Sequence, residues 1–244
     1  QIEVNLKKLT KLSLQKATEF KGINRIIIWP ETSFEGSIPN EMNFLSRVSK
    51  KVLKDQKAIL VVGLLRVDTN KLFNSLVFLN SKGNIIHQYD KIHLVPFGEY
   101  IPFRGKFTTI ANFLSLKDFS SGNIKPNFNL KGLGNILTLI CYEILFTEEV
   151  ISRLSKNTNL LINITNDAWF GTTTGPSQHL TATRFRSIER GLPLIRVANS
   201  GISAIYNGSG KLLDSIPLNQ EGYIDFDLKI SHLDTIYSNY GDKT

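Results

Sequence analysis

Apolar residues along this chain fall into short runs of strand length, and these runs alternate with segments of helical spacing. The runs predict strands at residues 25–30, 58–65, 72–79, 85–89, 136–140, 160–164, 194–198 and 202–206. Helical spacing predicts helices around residues 6–12, 44–52, 148–154 and 176–190. Apolar strands interleaved with helices indicate a layered α/β domain. Residues 106–131, rich in Gly, Ser, Asn and Phe, are interpreted as a long loop with a short amphipathic piece.

Three of the predicted strands end in residues that together could perform one reaction. Pro30 stops the first strand and delivers Glu31, Lys91 follows the strand at 85–89, and Cys141 follows the strand at 136–140. A carboxylate can remove a thiol proton, the thiolate attacks a carbonyl, and an ammonium stabilises the resulting oxyanion. Taken singly, Cys141 is also typical of a small buried apolar residue, Glu31 of a helix cap and Lys91 of a solvated lysine. Together the three predict acyl transfer through a thioester.

Several longer motifs carry a resemblance to a known family. They are WPET at residues 29–32, YDKIHLVPFGEYIP at 89–102, ICYE at 140–143, TNDAWFG at 165–171, GPSQHL at 175–180, RFRSIE at 184–189 and RVANSG at 196–201. In this order they resemble the nitrilase (carbon-nitrogen hydrolase) superfamily, and within it the periplasmic catalytic domain of the bacterial apolipoprotein N-acyltransferases. The resemblance extends from about residue 22 to residue 241.

The resemblance implies an αββα sandwich, two face-to-face β-sheets with helices outside, and a catalytic triad of Glu31, Lys91 and Cys141. It also implies that Glu99 is a second essential carboxylate beside Lys91. Glu143 is expected to support the site. The amide that follows a nucleophile is well placed for an oxyanion hole, so the Tyr142 backbone N–H is expected to contribute there.

Other motif residues have less specific expected roles. Trp169 and Phe170 are either core aromatics or the lining of a path for an acyl chain. His93 and His179 are expected to make structural hydrogen bonds. A buried or half-buried ion network that shapes the site is expected from three further residues, Arg186, Glu189 and Arg196.

The resemblance implies a two-step transfer without metal or cofactor. Cys141 takes an acyl chain from a phospholipid, and the thioester passes it to the N-terminal diacylglyceryl-cysteine amine of an apolipoprotein. The four histidines are too dispersed for a metal site. Two alternatives remain open: a soluble amidase of the same superfamily acting on a small amide, and a catalytically silent domain that binds lipid or lipoprotein.

Composition and charge limit the function classes further. The 244 residues, 41% hydrophobic and 20% charged, fit one globular domain over 1–244. The net charge of +8 comes from scattered lysines, which favour a solvated basic surface or a phospholipid surface over nucleic acid. No run approaches the roughly 20 apolar residues of a membrane span. The printed chain is thus expected to be soluble, and the resemblance implies that it is a domain excised from a multi-span protein of the bacterial inner membrane and facing the periplasm.

Overall fold

A computed structural model describes residues 2–15, 25–53, 57–102, 118–123 and 127–241. Its helices are α1 Ile2–Leu14, α2 Met42–Val52, α3 Thr147–Arg153, α4 Gly175–Arg190 and α5 Ile236–Tyr240. Its strands are β1 Ile26–Ile28, β2 Phe34–Ile38, β3 Ile59–Asp68, β4 Lys71–Asn80, β5 Ile85–Asp90, β6 Asn127–Leu130, β7 Gly134–Ile140, β8 Thr158–Asn166, β9 Leu194–Asn199, β10 Ser203–Tyr206 and β11 Leu212–Ile216.

The first sheet contains β1 to β5, with β3 at its centre. Strands β1 and β2 both run parallel to β3, whereas β4 is antiparallel to β3 and β5 is antiparallel to β4. The strands β1, β3 and β5 therefore all run in the same direction. Because of this direction, the residues that follow β1 and β5 emerge at one edge of the sheet.

The second sheet has the strand order β11-β10-β9-β8-β7-β6. Its three central strands, β7, β8 and β9, are parallel, and antiparallel pairs flank them on both sides. The carboxyl ends of β7 and β8 therefore lie side by side. In open sheets with parallel strands, this is the edge at which sites are usually built.

Three apolar clusters define the layers of the domain. Alternate residues of β3 face opposite sides: Leu60, Val62 and Leu64 pack with α1 and α2, whereas Ile59 and Val61 face the second sheet. Residues of β7 and β8 also face two sides. One set packs between the two sheets, and the other packs in an outer layer beneath α3 and α4. This two-residue period is that of a strand with both faces covered. The expected αββα sandwich is confirmed.

Local sequence signals explain where the longest helix begins and ends. Pro176 occupies its first turn, where the missing N–H breaks no hydrogen bond, and Gly191 ends it in the left-handed region at φ 63°. Helix α2 buries Leu45, Val48 and Val52 at helical spacing against the first sheet. Within the residues that the structure describes, no helix is both long enough and apolar enough to cross a membrane.

The structure departs from the expected secondary structure at four places, since strands β2, β6 and β11 and helix α5 were not expected. Strand β2 was not expected, because Phe34–Ile38 contains a glycine and two charged or polar residues among its five. The loop predicted at 106–131 is wrong at its end, where Asn127–Leu130 forms β6 and pairs with β7. Asn and Gly are poor strand formers by propensity, so pairing with a neighbouring strand decided the outcome. The rest of that loop falls largely outside the described residues.

Candidate active site

The structure brings Glu31, Lys91 and Cys141 to the same region between the two sheets. Glu31 lies in the turn after β1, Lys91 directly follows β5, and Cys141 directly follows β7. All three are buried, with exposed fractions of 5%, 1% and 7%. The sheets approach closely here: Asn166, at the end of β8, donates from its side chain to the Thr32 hydroxyl at 3.4 Å.

A chain of hydrogen bonds joins the buried carboxylates to the ammonium. Lys91 Nζ lies 2.8 Å from Glu99 Oε2, and the backbone N–H of Val95 donates to the same oxygen at 2.8 Å. Asn74 Nδ2 donates to Glu99 Oε1 at 2.8 Å and to Glu31 Oε1 at 2.7 Å. The expected pairing of Glu99 with Lys91 is therefore present in the structure. The amide of Asn74 bridges the two carboxylates.

The electrostatics of this group follow from its burial. Burial raises the pKa of Glu31, and the positive charge of Lys91 and the hydrogen bond from Asn74 oppose that rise. Burial lowers the pKa of Lys91, but the negative charges of Glu31, the Cys141 thiolate and Glu99 outweigh burial and raise it overall. Lys91 is thus held as an ammonium. Glu31 is a buried carboxylate with an elevated proton affinity, which suits a general base.

Cys141 sits at a sharp change of backbone direction. It has a φ of 53° and begins a 3₁₀ turn, Cys141–Leu145, directly after β7. A left-handed backbone at a residue other than glycine is uncommon and clusters at functional sites. Burial raises the pKa of the thiol to about 12, and the charge of Glu31 adds to this, while Lys91 and the Thr165 hydroxyl act in the opposite direction. The thiol is therefore protonated at neutral pH and needs a base at the moment of attack.

A second buried network fixes the backbone of Cys141 from the side of α4. His179 Nε2 lies 3.3 Å from the Cys141 carbonyl oxygen, and His179 Nδ1 lies 3.0 Å from Asp167 Oδ1. Arg196 Nη2 donates to Asp167 Oδ2 at 2.6 Å, and Arg196 Nη1 donates to Asn163 Oδ1 at 2.9 Å. Contact with His179 and Arg196 lowers the pKa of Asp167, although burial alone would raise this pKa. The hydrogen bond expected of His179 is present in the structure and joins it to the peptide of Cys141.

Glu143 ties the turn of Cys141 to the segment that follows Lys91. Its Oε1 accepts from the Tyr89 hydroxyl at 2.6 Å, from the backbone N–H of Ile92 at 3.0 Å and from Arg153 Nη1 at 2.8 Å. Its Oε2 accepts from the backbone N–H of Ile140 at 2.8 Å. Both oxygens are fully engaged, and the residue has no exposed surface. These contacts join the turn of Cys141 to Tyr89 and to the segment after Lys91.

The aromatic residues near the site differ in exposure. The interpretation of Trp169 as a core aromatic is wrong, because 73% of its surface is exposed. Phe170 is half-buried and lies edge-on to His179, with ring centroids 6.1 Å apart. Tyr142 is half-buried and packs against both His93 and Phe146, whose rings stack on each other. Nothing in this packing bears on the oxyanion role expected of the Tyr142 amide.

The ion network expected from three residues is divided into two in the structure. Arg186 pairs with Glu189 at 3.0 Å within α4 and donates to Thr147. Arg196 instead takes Asp167 as its carboxylate partner, at the edge of the second sheet. The two ion pairs are separate because Arg186 and Glu189 lie on α4, whereas Arg196 lies on β9. The pair made by Arg196 contacts His179, which lies against the Cys141 carbonyl oxygen.

Sequence reasoning missed two buried polar residues of the site, Asn74 and Asp167. Asn74 lies inside an apolar strand run, and a strand Asn gives no signal of its own. Asp167 was quoted only as part of a motif. The available sequence signal for both residues is a polar residue within or directly after an apolar strand run. Such a residue is expected to be buried, and a buried polar residue needs hydrogen-bond partners. Among the described residues, no cluster of three His, Cys, Asp or Glu side chains could hold a metal ion.

Comparison with known proteins agrees with this fold. The family model described as carbon-nitrogen hydrolase matches residues 2–236. The solved structure of Saccharomyces cerevisiae Nit3, a member of branch 10 of the nitrilase superfamily, has a TM-score of 0.66 at 19% identity over 90% of this chain and 82% of Nit3. A carbon-nitrogen hydrolase from Helicobacter pylori has a TM-score of 0.65 at 17% identity over 89% of this chain and 81% of its own. These two likenesses concern the fold.

Curated relatives are more similar in sequence. A protein of Rhizobium leguminosarum bv. trifolii named apolipoprotein N-acyltransferase is 40% identical over 227 residues, 88% of this chain and 42% of the relative. A protein of the same name from Bradyrhizobium diazoefficiens is 35% identical over 228 residues, 89% of this chain and 42% of the relative. The chain spans about two fifths of the length of these relatives. With the family model matched along nearly its whole length, the chain belongs to the carbon-nitrogen hydrolase family.

Proposed function

We propose that this chain is the catalytic domain of an apolipoprotein N-acyltransferase, with Glu31, Lys91 and Cys141 as its catalytic triad. The observation that carries the proposal is the burial of a carboxylate, an ammonium and a thiol at neighbouring strand ends, with mutual effects on their pKa values. The names and 35–41% identity of the curated relatives support the reaction class. The domain belongs, in this proposal, to a longer protein of the bacterial inner membrane and faces the periplasm.

In the first half-reaction, the thiol of Cys141 attacks the ester carbonyl carbon of a phospholipid. Glu31 takes the thiol proton as the sulfur–carbon bond forms, because the thiol is protonated at neutral pH. The Lys91 ammonium and the Tyr142 backbone N–H stabilise the oxyanion. The carbon–oxygen ester bond then breaks, and Glu31 returns the proton to the departing lysophospholipid oxygen. A thioester on Cys141 remains.

In the second half-reaction, the N-terminal amine of a diacylglyceryl-cysteine attacks the thioester carbonyl. Glu31 takes a proton from the attacking nitrogen, the carbon–sulfur bond breaks, and the proton passes to the sulfur. Glu99 keeps Lys91 in place throughout, since its carboxylate lies 2.8 Å from the ammonium. The products are an N-acylated lipoprotein and free Cys141. In both half-reactions Glu31 carries the proton from the attacking group to the leaving group.

Exposed aromatic side chains support a lipid surface as the source of the acyl donor. Trp169 follows the end of β8 and is 73% exposed, and Phe97 lies between Lys91 and Glu99 and is 75% exposed. Large aromatics that are exposed beside a buried site favour contact with the interface of a bilayer. The net charge of +8 adds attraction to anionic head groups.

The proposal is tested by intact-mass spectrometry after incubation with phosphatidylethanolamine in detergent, with Cys141→Ala as the control. The expected result is a hydroxylamine-labile gain of one acyl chain that the Cys141→Ala variant lacks. Absence of this adduct, together with Cys141-dependent release of ammonia from simple amides, would show that the chain is an amidase and not an acyltransferase. Retained lipid binding without turnover in either assay would indicate a silent binding domain.

A further inference from the structure

Asn74 makes more contacts with the proposed catalytic groups than its place in the sequence indicates. It lies near the beginning of β4 and is 4% exposed. Its Nδ2 donates to Glu31 Oε1 at 2.7 Å and to Glu99 Oε1 at 2.8 Å. These two carboxylates are separated by 68 positions in sequence, and one neutral side chain contacts both.

The two hydrogen bonds fix the orientation of the Asn74 amide. An amide nitrogen carries two hydrogens, and here each of them is used by one carboxylate. Turning the amide over would place Oδ1 against two carboxylate oxygens, which repel it. Asn74 Oδ1 is left buried and without a hydrogen-bond partner in the described structure. An orphaned acceptor is unfavourable, so the orientation is maintained by the carboxylates alone.

Asn74 also determines which oxygen of Glu31 is available. Glu31 Oε1 is engaged by Asn74, whereas Glu31 Oε2 is buried and has no hydrogen-bond partner among the described residues. The charged and titratable groups that face Glu31 are Lys91, Glu99 and Cys141. Two carboxylates thus share one ammonium, and a neutral donor that contacts both of them reduces their mutual repulsion without adding a charge.

We propose that Asn74 is a positioning residue for the proposed acyl transfer, which keeps Glu31 ionised and leaves its Oε2 free to take the proton of Cys141. The inference rests on the proposed role of Glu31 as the general base. Hydrogen bonds to an ionised carboxylate favour the ionised form. Loss of the two donors therefore makes Glu31 retain its proton to a higher pH.

The test measures S-alkylation of Cys141 by iodoacetamide as a function of pH, by intact mass. Cys141 is the only cysteine, so every added mass reports this thiol, and no acyl donor is needed. The variants are Asn74→Leu, Asn74→Asp and Glu31→Gln. Ser75→Ala is the matched control: Ser75 is the next residue of β4 and donates at 2.6 Å to a different carboxylate, that of Asp90.

The alkylation rate is expected to rise with pH, and this rise is the acid limb of the profile. In Asn74→Leu, the acid limb should move to higher pH by about one unit. Glu31→Gln removes the limb, and Ser75→Ala leaves it in place. If Asn74→Leu has no cooperative thermal transition, Asn74→Asp carries the same test, with a shift in the same direction. A merely structural role for Asn74 would lower the rate at every pH without moving the limb.

The outcomes separate the inference from the function on which it rests. If Glu31→Gln removes the limb and the Asn74 variants leave it unmoved, the role of Asn74 is refuted and that of Glu31 stands. If Glu31→Gln leaves the limb unchanged, Glu31 is not the base, and both the inference and the proposed mechanism are overturned.

Discussion

Replacing Gly63 with alanine tests how closely the position of Glu31 is fixed by the strand beside it. Gly63 lies in the middle of β3, next to the turn that carries Glu31. A Cβ atom built on Gly63 would lie 2.5 Å from the carbonyl oxygen of Pro30 and 2.7 Å from the Cα of Glu31. It would also lie 2.9 Å from Cδ1 of Ile164 in the second sheet.

The magnitude follows from these distances. Ordinary contacts begin at 3.4 Å, so the methyl group requires the Pro30 carbonyl oxygen to move by about 0.9 Å and the Glu31 Cα by about 0.7 Å. A misplacement of about 1 Å at a catalytic group can reduce the rate by about 10²-fold. Overpacking of a dense interior also destabilises by about 1–3 kcal/mol, which leaves a folded domain. We therefore expect a folded Gly63→Ala variant that forms the Cys141 thioester about 100-fold more slowly.

The assay is the rate of acyl-adduct formation on Cys141, read by intact mass, with a thermal melt of each variant. Gly222→Ala is the control, because a Cβ there meets only side-chain atoms of Ile216 at 3.7–4.0 Å. It should match the parent protein in rate and in melting temperature. A Gly63→Ala rate within about twofold of the control would refute the claim that β3 fixes the position of Glu31.

Three further predictions concern the surroundings of the site. Glu143→Gln should lower the free energy of unfolding by about 2 kcal/mol in urea, because it removes the buried charge that accepts from Arg153 Nη1 and the Tyr89 hydroxyl, whereas Arg153 Nη2 keeps Glu149 as its partner; a loss below about 0.5 kcal/mol would contradict this. His87 stacks on Phe128, and burial lowers its pKa from 6.5 to about 4, so its contribution to stability is present above pH 6.5 and is lost as the pH falls towards 4. The native protein should therefore lose up to about 2 kcal/mol between pH 7 and pH 5, and His87→Phe should remove that part of the pH dependence in urea titrations. Trp169→Ser should change the free energy of unfolding by less than about 0.5 kcal/mol and should slow thioester formation from phospholipid vesicles; an unchanged rate would argue against contact between Trp169 and the bilayer.

The strands and helices that could be predicted are those whose own residues carry the signal. Strands β3, β7 and β8 have largely apolar sequences, as expected for strands that are covered on both faces. In α2, the apolar residues recur at helical spacing. Strands β2 and β6 could not be predicted, because their residues have low strand propensity and their conformation depends on pairing with β3 and β7.

The sequence by itself determined the type of chemistry and where it lies in the chain. Glu31, Lys91 and Cys141 each follow an apolar strand run, and strand ends can be read from local pattern. Even the residue that contacts Lys91 was expected from a motif, since Glu99 lies only eight positions further along.

Only the tertiary structure decided which polar residues hold those groups in place. Asn74 contacts Glu31 across 43 positions, and His179 reaches the carbonyl of Cys141 across 38. Arg196 takes Asp167 as its partner instead of joining Arg186 and Glu189. Such partners are set by how closely strands from two sheets approach, and by the cost of burying a polar group alone. The distance between strands of different sheets and the burial of a given polar group cannot be read from the local order of residues. Both are fixed once the sheets pack.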